Sequence, residues 1–460
     1  MSVIVKGGGG GKSSGLYVWK KYEVILPYLS FLGNEDFTLK TYNTTKNWDG
    51  TLEYSTDTST WSTWDGTEIS SAGSKLYLRG TGNTKITGNS NNYRFVFAGT
   101  NTLKIACKGN IENLLDYETV SAGGHPTMNI YCYGYMFYGC TSLTTAPKLS
   151  ANELSNSCFY SMFSDCTSLT TAPELPATTL ADNCYGYMFS SCTSLTTAPE
   201  LPATTLARSC YANMFYSCTS LTTAPALPAT TLAMYCYQGM FQGCTALTTA
   251  PELPVTTLVT HCYSYMFEGC TSLTTAPALP ATTLDSYCYQ SMFKGCTSLT
   301  TAPELPATTL ARSCYERMFE GCTSLTTAPE LPATTLARSC YNIMFYRCTS
   351  LTTAPALPAT TLAEDCYNLM FAKCIALTTV SVLPATTLDR SCYYRMFYSC
   401  TNIKLSTTQT GEYQTPYRIP TSGTGTTATD ALLDMFVDTG GTFTGTPEIN
   451  TTYYTSNTVV

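Results

Sequence analysis

One cysteine recurs at a constant interval along most of the chain, from Cys132, Cys158 and Cys184 through to Cys392, without a slip. A second cysteine follows each of these by eight residues, from Cys140 to Cys400, so the chain contains eleven copies of one unit. Units of this length cannot bury an apolar face alone and become stable by stacking on their neighbours. The sequence therefore predicts a solenoid over residues 131–403, and only Cys107 stands outside the pattern.

The apolar residues within one unit are spaced by four. In one unit they are Leu310, Cys314, Met318 and Cys322, with Tyr315 and Phe319 one position on. This spacing gathers the apolar side chains on one half of a helical wheel and predicts a short amphipathic helix. Residues 325–329 (LTTAP) predict a short extended segment that ends at proline. One strand and one helix per unit is the leucine-rich-repeat pattern, so the predicted fold class is an α/β solenoid.

The cysteine columns are predicted to be reduced thiols in the core. In a helix, eight residues separate Cys314 from Cys322 by about 12 Å, which exceeds the roughly 7 Å Cα limit for a disulfide. Free cysteine is also one of the residue types most often buried.

The core of each unit resembles the repeat of the BspA-like leucine-rich-repeat surface proteins of bacteria. That repeat carries Met-Phe, two residues, Cys, two residues and Leu, which here runs from Met318 to Leu325 (MFEGCTSL). Met-Phe recurs in all eleven units, and the resemblance covers roughly residues 130–403. It implies binding of host or neighbouring-cell surfaces through ligands that the motif does not specify.

The residues before the repeats divide into three segments. Residues 1–23 are rich in glycine and are predicted to attach the protein to a partner. Residues 24–106 alternate short apolar runs with Gly, Asn and Asp turns, which predicts a β-sandwich-like domain. Residues 107–130 are predicted to cap the start of the solenoid.

The residues after the repeats, 404–460, are predicted to form a C-terminal cap. Met435-Phe436 repeats the Met-Phe motif of Met396-Phe397 after a longer interval, and polar residues replace the cysteines. A degenerate last unit is what a stack of repeats needs at its end.

Charge and composition disfavour several classes of function. The excess of 31 Asp and Glu over 24 Lys and Arg disfavours nucleic-acid binding. The sequence contains no apolar run long enough to indicate membrane insertion. His125 and His261 are the two histidines, and neither has the spacing of a zinc site or a Ser-His-Asp hydrolase. The sequence predicts a protein that is not an enzyme and needs no metal or cofactor.

Residues 15–21 (GLYVWKK) are similar to segments near the start of tail-associated proteins of phages that infect gut bacteria. A virion component leaves the cell by lysis, and Met1–Lys12 lacks the apolar region of a secretion signal. The predicted function is therefore a phage tail-fibre-type protein in the virion that binds a host-cell surface protein or glycan. Its N-terminal segment would attach to a tail or particle protein. A bacterial cell-surface adhesin and a structural virion decoration without a ligand are the alternatives, and homo-oligomerisation stays open.

The candidate binding surface is the set of four variable positions per unit, two after the first Cys-Tyr and two after Met-Phe. These positions are rich in Tyr, Ser, Gly and Asn, a composition typical of antibody paratopes. The alternative is that a solvated face accepts any polar residue there. The candidate residues are Tyr135, Tyr138, Tyr160, Tyr187, Tyr216, Tyr265, Arg317, Tyr346, Tyr394, Arg395 and Tyr398.

Two other surfaces are less favoured by the sequence. The threonine columns of the extended segments barely change between units, which is typical of a structural role. Trp48, Trp61 and Trp64 would suit a sugar-stacking platform, although tryptophan at strand ends is more often part of the core.

Overall fold

The computed structural model describes residues 26–420 and 428–460. The predicted attachment segment, residues 1–23, lies outside the described residues, and so does the phage-like motif at residues 15–21.

The region before the repeats is built from short antiparallel strands. They are β1 (Leu29–Gly33), β2 (Thr38–Thr41), β3 (Thr51–Ser55), β4 (Ser62–Trp64), β5 (Ile69–Ser70), β6 (Lys75–Thr81), β7 (Phe95–Ala98) and β8 (Ile105–Lys108). One sheet has the order β4-β3-β6-β1-β8, and a smaller sheet has the order β5-β2-β7. Helix α1 (Asn113–Ser121) packs on β6 and is interrupted at Asp116, where φ is −155°.

The first sheet continues into the first repeat without a break. Strand β9 (Leu143–Thr145), which belongs to the first unit, pairs in parallel with β8 as the sixth strand of the sheet. The N–H of Phe95 donates to the carbonyl of Met136, and the Phe95 and Phe137 rings lie 5.9 Å apart. The N-terminal sheets therefore close the open end of the repeat stack, and one hydrophobic core runs through both.

The predicted amphipathic helices are absent from the repeats, so the α/β assignment is wrong for them. Residues 311–322 instead form consecutive tight turns in which every fourth residue has a left-handed backbone: φ is 50° at Ser313, 56° at Arg317 and 72° at Gly321. A positive φ at the third position of a four-residue turn is the geometry of a type II turn. The same three positions have positive φ in all eleven units.

The turns satisfy their backbone groups in two alternating ways. The N–H groups of Cys314, Glu316 and Met318 donate to carbonyls three residues earlier in the same unit, at 3.2–3.3 Å. Those of the residues between them, Tyr315 and Arg317, donate to carbonyls of the next unit at 2.9–3.0 Å. A helix would direct every bond along its own segment, so only the turn structure joins one unit to the next through the backbone.

Two aromatic columns run through the stack on the inner side of the turns. The first links the residue after the first cysteine of each unit from Tyr133 to Tyr393, with ring centroids 5.5–5.9 Å apart and nearly parallel. The second links the Met-Phe phenylalanines from Phe137 to Phe397 at 5.5–5.8 Å. Each unit therefore buries its largest side chains against the equivalent ones of its neighbours, which fixes its register with both.

All 23 cysteines are free and buried, as the sequence predicted, although the helix-rise argument for this does not hold. The second cysteine of each unit after the first donates its S–H to the Phe carbonyl of the preceding unit, as in Cys348 to Phe319 at 3.0 Å. These thiols therefore add a bond between units while filling the core.

The opposite side of each unit is extended but forms little regular sheet. From Thr171 to Thr353, single threonines of successive units pair in parallel, as Thr301 does with Thr327. The pairing stays this short because the following Ala-Pro removes a backbone donor from the ladder. The predicted strand is thus reduced to one bridge in most units.

The C-terminal residues repeat the turn structure once and then return along the stack. Met435 and Phe436 take the positions of Met396 and Phe397, with the two Phe rings 5.5 Å apart. The remaining strands are β10 (Thr379–Val380), β11 (Leu405–Ser406), β12 (Thr415–Arg418), β13 (Thr452–Thr455) and β14 (Thr458–Val459). Strand β13 lies between β11 and β12, and β14 pairs in parallel with β10.

The left-handed positions generate a first prediction. Five of the eleven units have Gly at the third left-handed position, and Arg347 occupies it with φ 63°. Replacing Arg347→Gly should raise the free energy of unfolding by about 1 kcal/mol, because a side chain is strained there. Gly321→Ala, the matched change in the preceding unit, should lower it by a similar amount. Denaturation midpoints measure both, and a stabilising Gly321→Ala would contradict the left-handed assignment.

The buried thiols generate a second prediction, on alkaline stability. Burial raises the pKa of Cys322 from 9.0 to about 12, and it raises that of Cys374 well above 9.0. The unfolded chain therefore loses thiol protons from about pH 9, whereas the folded protein keeps them, so stability falls as pH rises from 9 towards 12. Thiol ionisation should leave the melting temperature unchanged below about pH 9 and lower it steeply between pH 9 and pH 12.

Calorimetric scans between pH 7 and 11 measure this effect, together with alkylation of the native protein at pH 8. Alkylating reagent should leave the native thiols unmodified and label all 23 after denaturation. A constant melting temperature up to pH 11, or rapid native labelling, would show that the thiols ionise in the folded protein.

Candidate binding surface

The turn face is the outer surface formed by the variable side chains of the turns, one row per unit. In the unit that contains Tyr315 and Phe319, these two rings point inward, while Glu316, Arg317 and Glu320 remain partly exposed. All eleven candidate residues from the sequence lie outside the core and are half-buried or exposed. Their role in binding stays a prediction.

The first three units carry a contiguous tyrosine patch, made of Tyr131, Tyr135, Tyr138, Tyr160 and Tyr187. The Tyr135 ring lies 6.0 Å from Tyr138 and 5.5 Å from Tyr160, which in turn lies 5.6 Å from Tyr187. Partial burial among these rings raises the pKa of Tyr160 to about 12. The patch thus presents aromatic rings already packed against one another.

Backbone geometry positions the tyrosine patch. Tyr135 and Tyr187 are left-handed residues, with φ of 59° and 56°, and Tyr160 precedes another such residue. The Tyr160 ring lies over Gly186, where an added Cβ would approach it to 3.1 Å. The absence of a side chain at Gly186 therefore leaves room for the ring.

In the middle of the turn face, the polar side chains form hydrogen bonds and ion pairs with one another. Tyr265 donates to Gln290 at 3.1 Å, and Gln290 donates to Glu316 at 3.1 Å. Arg317 pairs with Glu320 at 3.0 Å. Candidates Tyr265 and Arg317 therefore have partners in the folded chain and are less available to a ligand than the tyrosine patch.

The last units form a third cluster that mixes aromatic rings and cations. The Arg395 guanidinium lies 5.0 Å from the centre of the Tyr394 ring and 5.3 Å from that of Tyr398, and it binds Asp434 at 2.9 Å. Tyr346 lies beside Arg347 and Lys373 in a similar arrangement, at 5.2 and 5.9 Å. Tyr216, in a unit between the clusters, is 38% exposed.

One aromatic row was missed by the sequence analysis. His261 stacks between Tyr235 at 4.8 Å and Tyr287 at 4.5 Å, and burial lowers the pKa of the histidine. Arg208 and Arg312 lie over the two tyrosines at the ends of this row. All three rings occupy the position before the first cysteine, which is a fifth variable position of the unit, because Tyr, Ser, Asn, His and Asp alternate there.

The tryptophans form no sugar-stacking surface, and Trp48 and Trp64 belong to the core as the sequence favoured. Trp48 and Trp64 are 4% and 1% exposed and stack on each other at 5.1 Å. The Trp64 indole donates to the carbonyl of Thr67 at 2.7 Å. Only Trp61 is partly exposed, beside Arg79 at 4.1 Å, so the three rings form no common stacking plane.

A family model describing the BspA type leucine rich repeat region matches the chain in overlapping segments. They are residues 126–248, 161–300, 208–351 and 283–404. The chain belongs to this family. A search among curated proteins found no match.

Membership of the BspA type repeat family bears on the nature of the site. Proteins with these repeats are generally non-enzymatic, and the repeats are typical of adhesin-like proteins at the cell surface or outside the cell. Within residues 26–420 and 428–460, no cluster of His, Cys, Asp and Glu could hold a metal ion. No helix in the same residues is long and apolar enough to span a membrane.

The hydrogen bonds in the middle of the turn face generate a third prediction. Glu316 accepts from Gln290 and from Asn342, so its carboxylate joins three successive units. Glu316→Ala should lower the free energy of unfolding by about 1–3 kcal/mol, because two hydrogen bonds to a charged acceptor are lost. Glu330→Ala, at an exposed position, is the control with the same charge change. Equal melting temperatures for the two variants would contradict the role of Glu316.

Proposed function

We propose that the protein is a non-enzymatic adhesin that acts at a cell surface or outside the cell and binds its target through the turn face. The observation that carries the proposal is the tyrosine patch, in a chain whose repeats are of the BspA type. Tyrosine offers a large contact area with few rotatable bonds and is enriched where binding energy concentrates. A cell-surface protein or glycan is the expected partner.

The architecture that we infer for this function is a continuous solenoid of eleven units, with the degenerate twelfth unit as its C-terminal cap. The aromatic columns and the backbone bonds between units support it. A stack of this kind is quasi-one-dimensional, so a row of outward side chains forms one extended surface.

The alternative of a phage tail-fibre-type protein in the virion has weaker support. It rests on residues 15–21, which lie outside the described residues, and the family match does not extend to them. Attachment of residues 1–23 to a tail or particle protein, decoration of a virion and homo-oligomerisation stay predictions.

Cell binding by matched variants tests the adhesin proposal. Tyr160→Ser and Tyr187→Ser together use residues that the chain itself has at the equivalent positions, Ser264 and Ser161. We expect labelled variant protein to bind at least tenfold more weakly than the wild type to the bacterial or epithelial cells that the wild type binds. The melting temperature should change little, because the Cys, Met and Phe columns are untouched.

The control variant is Thr274→Ala with Thr300→Ala, two exposed residues of the opposite face. It should bind cells as the wild type does. If the threonine variant loses binding while the tyrosine variant keeps it, the opposite face is the site. If wild-type protein binds no cell type in a broad panel, the adhesin proposal fails.

A further inference from the structure

A groove of about 560 Å³ lies where the N-terminal sheets meet the first two repeats. One wall is the loop and strand from Arg94 to Lys104, and the other is the turn from Tyr138 to Ser142 with Thr167 and Ser168 of the next unit. This volume falls within the range of about 300–1,000 Å³ typical of small-molecule sites. The groove lies beside the tyrosine patch, with which it shares Tyr138.

Two cations line the groove without a carboxylate partner. Arg94 donates to the carbonyl of Asn91 at 2.9 Å, and Lys104 donates to the hydroxyl of Ser168 at 2.7 Å. No ion pair involves either residue in the described part of the chain, and the lining contains no Asp or Glu.

Two carboxylates beside the groove, Glu35 and Asp165, have other partners. Glu35 accepts from the backbone N–H of Thr100 at 3.0 Å and thereby holds the loop that forms one rim. The hydroxyl of Tyr138 hydrogen-bonds to Asp165, and this raises the pKa of the tyrosine. Both carboxylates keep their charge, but neither forms an ion pair with Arg94 or Lys104 in the described residues, so the two cations can still pair with an anionic ligand.

The aromatic and hydroxyl groups of the groove suit a sugar. The Arg94 guanidinium lies 3.8 Å from the centre of the Tyr42 ring, which is 54% exposed, and 6.0 Å from that of Tyr138. This contact holds the guanidinium in place and leaves its remaining donors free. Thr141, Thr167 and Ser168 add hydroxyl groups to the lining.

We propose that this groove binds an anionic saccharide, with its carboxylate or phosphate on Arg94 and Lys104 and its ring beside Tyr42 and Tyr138. The shared chemistry is a negatively charged sugar of a cell-surface polysaccharide. The site is separate from the rest of the turn face and does not require that face to bind cells.

Titration calorimetry with defined oligosaccharides tests the proposal on the full-length protein. An oligogalacturonate represents carboxylated sugars, a mannose 6-phosphate oligosaccharide represents phosphorylated ones, and a neutral galactose oligosaccharide is the uncharged reference. We expect binding of at least one anionic probe, weakened by added salt, and at least tenfold weaker binding of the neutral one. The anionic probe that binds shows whether the site prefers a carboxylated or a phosphorylated sugar. Binding of neither anionic probe would overturn the proposal.

The decisive variant is Arg94→Gln with Lys104→Gln, which should reduce affinity for the anionic probe at least tenfold. Arg208→Gln with Arg312→Gln changes net charge equally at exposed positions outside the groove and should bind as the wild type does. Equal affinity of the two double variants, or equal binding of poly-glutamate, would refute a saccharide site here. The Tyr160→Ser with Tyr187→Ser variant should bind the anionic probe as the wild type does. Failure of the saccharide proposal can therefore be distinguished from failure of the adhesin proposal.

Discussion

Backbone hydrogen bonds between successive repeats are the interaction on which the rest of this structure depends. On the turn side, alternate N–H groups are used within the unit and between units, so the segment is both compact and paired with its neighbours. A left-handed residue at every fourth position makes this alternation possible. Its conformational cost is about 1–2 kcal/mol for each side chain other than glycine. Bonds to both neighbours and stacked aromatic rings offset that cost in each interior unit.

The sequence predicted the repeat, its register and nearly all of its core. Cys314, Met318 and Phe319 are buried as the four-residue spacing indicated. The helix was wrong because a spacing of four also suits a run of four-residue turns. Since a helix completes more than one full turn in four residues, an apolar stripe with this spacing drifts around its surface, and a spacing that never departs from four fits repeated turns better. Gly, Ser and Asn at the left-handed positions were a second unused signal.

Strands outside the repeats were predictable where alternation was clear, as in β3 and β6. The pairing of β8 with β9 could not be predicted in this way. It joins a strand of the N-terminal region to a strand of the first repeat, and helix α1 lies between them in the sequence. Local pattern contains no information on such a partner. For the same reason the groove beside Arg94 and Tyr138 was not foreseen, since its two walls come from segments that are distant in the sequence.

The same backbone constraint supports the proposal that the turn face binds a partner. The backbone fixes where Tyr135 and Tyr187 leave the turns, and contact of both rings with the Tyr160 ring restricts their rotamers before a partner binds. Each flexible side chain that becomes ordered on association makes the binding free energy less favourable by about 0.5–1.5 kcal/mol. In the middle units the outward polar side chains hydrogen-bond to one another, as Gln290 does to Glu316. Those donors and acceptors are therefore less available to a ligand. The units at the N-terminal end contact one another there mainly through tyrosine rings, whose exposed faces remain for a second surface. This difference between the two regions is the reason for proposing recognition at the N-terminal end of the stack, where rigidity comes from the backbone and the tyrosine rings remain accessible.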